Sequence, residues 1–447
     1  MASRSPWTEG LPRRSTLAED AFKPLLATQA EDFLRMSNGL MELVPEQWSQ
    51  RQLFHLYRSS TDLETFLDDY GARENRKFFP VREAFALLRW LSSSMSSLVH
   101  VDARLASYPS ADVDWARDHV GPCIRKAALR LGEVIQACLA AMRENWSAVG
   151  MSWPTQAVRL EALSSPGERP RLPRDLIEAR VAVAAVAHDL GSAPARIAAR
   201  FLDAARELER VAGRPVHGRD ALQRFMAKRL GEEAARSLEA KVHNLQSAYD
   251  SLVAGRADEA EYPELPVLRG SASLALHLLE AATSLTHLYE RHDLYGQRSG
   301  SQLLFTRLIP EEDLLDITVN TCLVTACKSL NKTVPMADKL LRAFTRQVEE
   351  LLPLPDDVFL HARPISLIVS VVNHHQTPVE MTIAGDSCSA ASIMQMLVLA
   401  GTHPEERAIR FSGDDSVLQD LRALFEAGLG EHGFEKLPER LDYLRTN

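Results

Sequence analysis

The sequence predicts a multidomain chain in which a large all-α N-terminal region, a helical bundle, is fused to a small α+β module at the C-terminus. Three observations predict it. A length of 447 residues, at roughly 150 per domain, leaves room for about three domains. Apolar residues recur at three- and four-residue steps through most of the chain before Glu350, the spacing of helices with one buried face. From Asp356 to Gly430 the text turns richer in β-branched residues and turn formers, and short strand-like and helical segments alternate.

Composition narrows the function classes. Hydrophobic residues at 45% and charged residues at 25% are ordinary globular values. A net charge of −9 and a pI near 5.9 argue against a general nucleic-acid binder, which needs a basic face to displace counterions from phosphates, and leave room only for a local basic patch. The cysteines Cys123, Cys138, Cys322, Cys327 and Cys388 are scattered, with no C-x-x-C pair. They suggest neither a disulfide framework nor a zinc site, and fit the reducing cytosol. The opening "MASRSPWTEGLPRRSTLAED" has no apolar run after its arginines, and no window is apolar enough to span a membrane. A cytoplasmic protein is therefore expected. No Gly-rich phosphate loop, G-x-S-x-G or H-E-x-x-H motif occurs, so no cofactor or metal is expected.

Taken in order, residues 1–50 read as a partly irregular N-terminal segment and 51–151 as the first helical part. Val81, Phe85, Leu88, Met95 and Leu98 share one face. "TDLE", Thr61 to Glu64, has the form of a capping box and predicts a helix start there. The stretch 152–175, with four prolines and no sustained period, reads as a linker. Residues 176–350 make the second helical part. Within it, "LIEARVAVAAVAHDL" and "APARIAARFLDAARELERVAG" are strong helix formers with Gly191 and Gly213 as stops. Leu274, Leu278, Ala281, Leu285 and Leu288 mark a further helix to about His292. "DLLDITVNTCLVTACKSLN" and "MADKLLRAFTRQVEELL" read as two more, before "PLPDD" acts as a hinge. In the module, residues 356–430, "PVEMTIAG" and "RAIRFSGDD" read as strands into turns. "SAASIMQMLVLAG" and "DSVLQDLRALFEAGLG" read as helices, and 431–447 as a tail.

The stretch "FLHARPISLIVSVV", from Phe359, carries the main chemical question. On propensity, "ISLIVSVV" is a strand. Pro364 argues for a helix instead, because proline suits a first turn, where its missing N–H costs nothing. His361 would then lie just before that turn. The free amides and dipole of a helix N-terminus attract a phosphoryl group, and Arg363 adds a fork of donors. A neutral imidazole there can attack phosphorus.

The letters "LHARP" resemble the active-site motif of HPr, the histidine-containing phosphocarrier of the bacterial phosphotransferase system, and "ASIMQMLVLAG" is similar to that family's second helix. The resemblance implies an open-faced sandwich of a four-stranded antiparallel sheet under three helices. It implies His361 as phosphoryl acceptor on Nδ1, Arg363 as charge partner and Pro364 as helix starter. It places Ser392 at the target of a regulatory serine kinase of the HPr type, and Ile393, Met394 and Leu397 on the docking surface for a phosphotransferase-system donor protein. A first strand must precede the histidine, and "RQVEELLPLPDDVFLH" must supply it, although its first half reads equally well as a helix end.

This chain departs from the family in charge. Asp356 to Gly430 holds four arginines, no lysine and ten acidic residues, so 4 − 10 = −6, and Ser370, Asn373 and Gln395 stand where the family commonly has lysines. Docking to the usual donor should be slower or redirected. The expected function is a phosphocarrier or regulator whose phosphorylation alters what the helical region binds, more a regulator than a turnover enzyme. Two rivals are a docking module that accepts no phosphate, and a helical metal- or cofactor-dependent enzyme controlled by the module. For the last, His277, Glu280, Ser284 and His287 share one stripe, with a half-exposed polar flank the stronger reading. His374 and His375 read as solvated loop residues, Cys322 and Cys327 as buried small hydrophobes, and "DDYGARENRKF" from Asp68 as a solvated face, a bend or a partner surface.

Overall fold

A computed structural model describes residues 16–158, 193–255, 259, 261–292, 308–355, 358–431 and 433–445. The expected helix "LIEARVAVAAVAHDL", its stop Gly191 and all but the start of the expected linker lie outside the described residues. The chain divides into two compact units: Met1–Ser96 with Ala128–Glu168 and His287–Glu311, and Ser97–Ala127 with Arg169–Thr286 and Glu312–Asn447. This division cuts across the boundary expected near residue 151, because single long helices contribute residues to both units.

The first unit holds α1 (Glu19–Met41), α2 (Gln50–Asp69), most of α3 (Phe79–Arg104) and the later part of α4 (Gly121–Ala148). The N-terminal segment is thus helical over much of its described length, since Phe22, Leu26, Phe33 and Leu40 give it a face to bury. Helix α2 begins at Ser49, not at Thr61. Ser49 accepts the Gln52 amide at 3.2 Å and Gln52 Oε1 takes the Ser49 N–H at 2.7 Å, a complete capping box. The Thr61 hydroxyl instead donates to the Tyr57 carbonyl one turn back, at 2.8 Å. "DDYGARENRKF" forms the bend between α2 and α3, turned at Gly71 with φ +77°. Where α2 meets α3, Arg82, 3% exposed, donates to Glu64 (2.6 Å), Asp68 (2.9 Å) and Glu83 (2.7 Å), and Glu83 also pairs with His292 at 3.1 Å.

In the second unit α5 (Ala193–Ala212) packs on α7 (Glu232–Leu252) and on a long C-terminal helical rod, and α6 (Arg219–Arg229) falls between α5 and α7 in chain order. Helix α8 (Glu264–Arg291) buries the predicted leucine seam. The two helices expected around Thr325 and Pro335 are one rod: a turn at Glu311–Asp316, a π segment Ile317–Val324 and α9 (Thr325–Phe344), which runs through Pro335. The rod stops short of "RQVEELL", which is a strand.

The C-terminal module is a four-stranded antiparallel sheet under three helices. Strands β1 (Gln347–Pro353), β2 (Val379–Ile383), β3 (Asp386–Ser389) and β4 (Ala408–Asp414) lie in the order β1-β4-β2-β3. Glu350 pairs with Phe411, and Phe411 with Met381. Alternation does the work: Met381, Ile409 and Phe411 are fully buried, while Glu380 and Arg410 face out. Helices α10 (Ala362–His375), α11 (Ile393–Thr402) and α12 (Asp415–Glu426) cover the inner face. The module therefore starts ahead of Asp356, at β1. The tail after Gly430 adds Leu437, Leu441 and Leu444 to the same core.

Candidate functional site

The segment after Pro364 is a helix, so the tertiary setting overrides the β propensity of "ISLIVSVV": Ile365, Ile368, Val369 and Val372 fill the core along one face. His361 is the N-cap of α10, with extended backbone. Its Nδ1 accepts the Arg363 backbone N–H at 3.4 Å. A neutral ring accepting at Nδ1 carries its proton on Nε2, and Nε2 faces Glu431 Oε1 at 3.5 Å. The imidazole is 54% exposed, and Glu431 Oε1 is shielded and accepts no hydrogen bond. The site thus holds a half-exposed imidazole whose Nδ1 lone pair meets one backbone amide through a long hydrogen bond, with a carboxylate behind the opposite nitrogen. Pro364 is buried in the first turn and Arg363 is exposed beside it.

Glu431 was not legible in the sequence. It is delivered by a tight turn, Gly428-Leu429-Gly430, in which all three residues have positive φ. A Cβ at Gly430 would sit 2.5 Å from Leu367 Cδ1, so only glycine lets this turn close onto α10. The signal that could have found it is the pair of glycines flanking one apolar residue just before an acid.

Ser392 is the N-cap of α11, accepting the Gln395 amide at 3.4 Å. Ile393 (41%), Met394 (70%) and Val398 (66%) are exposed beside it. Leu397 is half-buried against the core, so Val398, absent from the sequence reading, completes the exposed apolar patch. Asn373 and Gln395 are exposed and neutral, and Ser370 is half-buried.

His374 and His375 are not solvated loop residues; they are the last two residues of α10. The His374 ring stacks on Tyr443 with centroids 3.7 Å apart, and His375 Nε2 meets Asp420 Oδ2 at 2.8 Å. Burial pushes the Asp420 carboxyl up. Hydrogen bonds from His375 and Tyr443, with the charges of His375 and Arg440, outweigh it and leave the carboxyl below its usual range. That contribution is complete above the unfolded value of about 3.9 and is lost as pH falls through the lower folded value. Asp420→Asn should therefore destabilise the module at pH 7 by about 1–3 kcal/mol, with the gap to wild type narrowing on acidification. Urea midpoints at pH 7 and pH 3 check this; an equal gap at both would rule the charge out.

Elsewhere, His277 Nδ1 pairs with Glu280 at 2.9 Å, and His287 packs on Trp90 with ring centroids 4.1 Å apart, so the predicted stripe does not converge. Among the described residues no group of three or more His, Cys, Asp or Glu side chains could hold a metal ion. Cys322 and Cys327 are buried, which pushes both thiols up. No described helix is long and apolar enough to cross a membrane.

An antiparallel sheet under three helices, with a histidine capping the first of them, defines a phosphocarrier-type module of the phosphotransferase system. Residues 354–427 match the family model described as PTS HPr component phosphorylation site. The phosphocarrier protein HPr of Chlamydia trachomatis serovar D is 30% identical over 74 residues, covering 16% of this chain and 68% of the relative. That of Chlamydia muridarum is 30% identical over the same length, covering 71% of the relative. No solved structure matches. The chain belongs, through this module, to the HPr family. Membership implies partners among phosphotransferase-system proteins.

Proposed function

We propose that the protein is a cytoplasmic phosphotransferase-system regulator in which His361 accepts a phosphoryl group and the state of the module alters what the helical region binds. The observation that supports the reading is the Nδ1 of His361 accepting the Arg363 backbone N–H at the start of α10. In the transfer, Nδ1 releases the Arg363 N–H, and its lone pair forms a bond to phosphorus as the donor's bond to the same phosphorus breaks. The phosphoryl oxygens are received by the Arg363 N–H that Nδ1 gives up and by the Arg363 side chain, while Nε2 keeps its proton toward Glu431. Pro364 supplies a first turn that needs no amide partner.

Phosphorylation of Ser392 by an HPr-type serine kinase would add about −1.5 to −2 charges beside Ile393, Met394 and Val398, turning an apolar docking face into an anionic one. The lack of lysines around this face supports a donor with a less acidic docking surface than the family's usual one. Coupling to the helical region is supported by the far end of α10. There the Gln376 Oε1 accepts from Arg196 (2.9 Å) and Arg200 (2.8 Å), both on α5.

The test is to incubate the full-length protein with phosphoenolpyruvate and the first phosphotransferase enzyme and to count acid-labile phosphate. Wild type should label, and His361→Ala should fall to background. Equal labelling of the two would remove His361 from the mechanism, and an unlabelled wild type would favour a docking module that carries no phosphate.

A further inference from the structure

We propose that the helical part of the second unit carries a binding pocket for a compact anion, a carboxylate or a phosphate group on a small molecule. A cleft of about 340 Å³, within the size range of small-molecule sites, is walled by the end of α3 with the turn after it, by α7 and by α8. The wall is set by a close approach: a Cβ on Gly270 would collide with the Pro109 carbonyl oxygen, so glycine is what lets the turn after α3 rest on α8.

The cleft collects donors and few free acceptors. Arg104 lines it and has no carboxylate partner among the described residues. The Tyr108 hydroxyl is shielded from solvent and finds no hydrogen-bond partner. The His100 and His277 rings meet with centroids 4.4 Å apart. Every nearby carboxylate is already engaged. Asp250 holds Arg269 through both oxygens, at 2.8 and 3.0 Å, and Glu280 holds His277 at 2.9 Å. Glu259 takes the Tyr249 hydroxyl at 2.9 Å and the Gly255 amide at 2.6 Å. Burial first, and then His277 and Arg104 alongside, hold His100 below its usual range. A shielded hydroxyl without an acceptor is costly, and an anion placed between it and the exposed Arg104 guanidinium would satisfy the one and pair with the other.

The test is calorimetric titration of the full-length protein with inorganic phosphate and with succinate, at fixed ionic strength with chloride as control. One of the two should bind saturably at one site per chain, the better binder showing which anionic group the pocket takes. Arg104→Gln, a change at an exposed residue, should weaken binding about tenfold or more and Tyr108→Phe about fivefold. His361→Ala should leave it intact, separating this pocket from the phosphoryl-acceptor site. Absence of saturable binding by both anions overturns the proposal. So does unchanged affinity in folded Arg104→Gln or, if that variant does not fold, in Tyr108→Phe.

Discussion

Replacing Arg82 by methionine should destabilise the first unit by about 3–5 kcal/mol, the loss seen when one partner of a buried charge cluster is removed. The side chain is almost wholly buried and answers Glu64, Asp68 and Glu83 at once. Burial pushes the Asp68 and Glu83 carboxyls up, yet their ion pairs win: Arg82 and Arg73 for Asp68, and His292 and Arg82 for Glu83 hold both below the usual range. Methionine fills a similar volume but strips from Glu64, Asp68 and Glu83 the guanidinium they share. Urea unfolding followed by circular dichroism measures the loss, and hydrogen exchange should locate it at α2 and α3. Adding Glu64→Gln and Asp68→Asn should recover part of it, because the stranded charge is what costs most. A single variant within about 0.5 kcal/mol of wild type, the range of ordinary surface changes, would show that the cluster is not a structural centre.

Phe411→Ala should cost the module about 3–5 kcal/mol, the usual range for deleting a buried phenylalanine. Phe411 is fully buried in β4, between β1 and β2, and packs edge-on against Phe425 of α12 with ring centroids 5.6 Å apart. That loss is comparable with the whole stability of a small domain, about 5–15 kcal/mol, so the variant should also fail to hold His361 in its cap. Thermal unfolding together with acid-labile labelling checks both parts. Arg410→Ala, one residue along on the exposed face, is the control and should change stability by less than about 0.5 kcal/mol. Equal melting of the two variants would mean that the sheet is not held by this face.

Much of the module was legible because it is written in local signals. "HARP" marks a helix start, strand alternation marks β2 and β4, and the leucine stripe marks α12. What escaped was long-range. "RQVEELL" has the composition of a helix end and becomes β1 because β4 offers it a paired edge. His374 and His375 read as polar loop residues and are packed because Tyr443 and Asp420, distant in the chain, meet them. In α2, two capping boxes compete, and the one at Ser49 lies at the true helix start, where its bonds satisfy amides that would otherwise be orphaned. Glu431 is the clearest omission from the site, since the turn that delivers it makes sense only once Leu367 is seen beneath Gly430.

Helix α10 has His361 at one end and the Arg196–Arg200 pair, through Gln376, at the other. Its 14 residues span about 21 Å, more than twice the screening distance of about 8 Å at physiological salt. A dianion arriving at the histidine would be nearly invisible as an electric field to those arginines. News of it must travel as a stiff rod travels, by tilting, and the small gain or loss of a shared amide contact is where the helical region would feel the tilt.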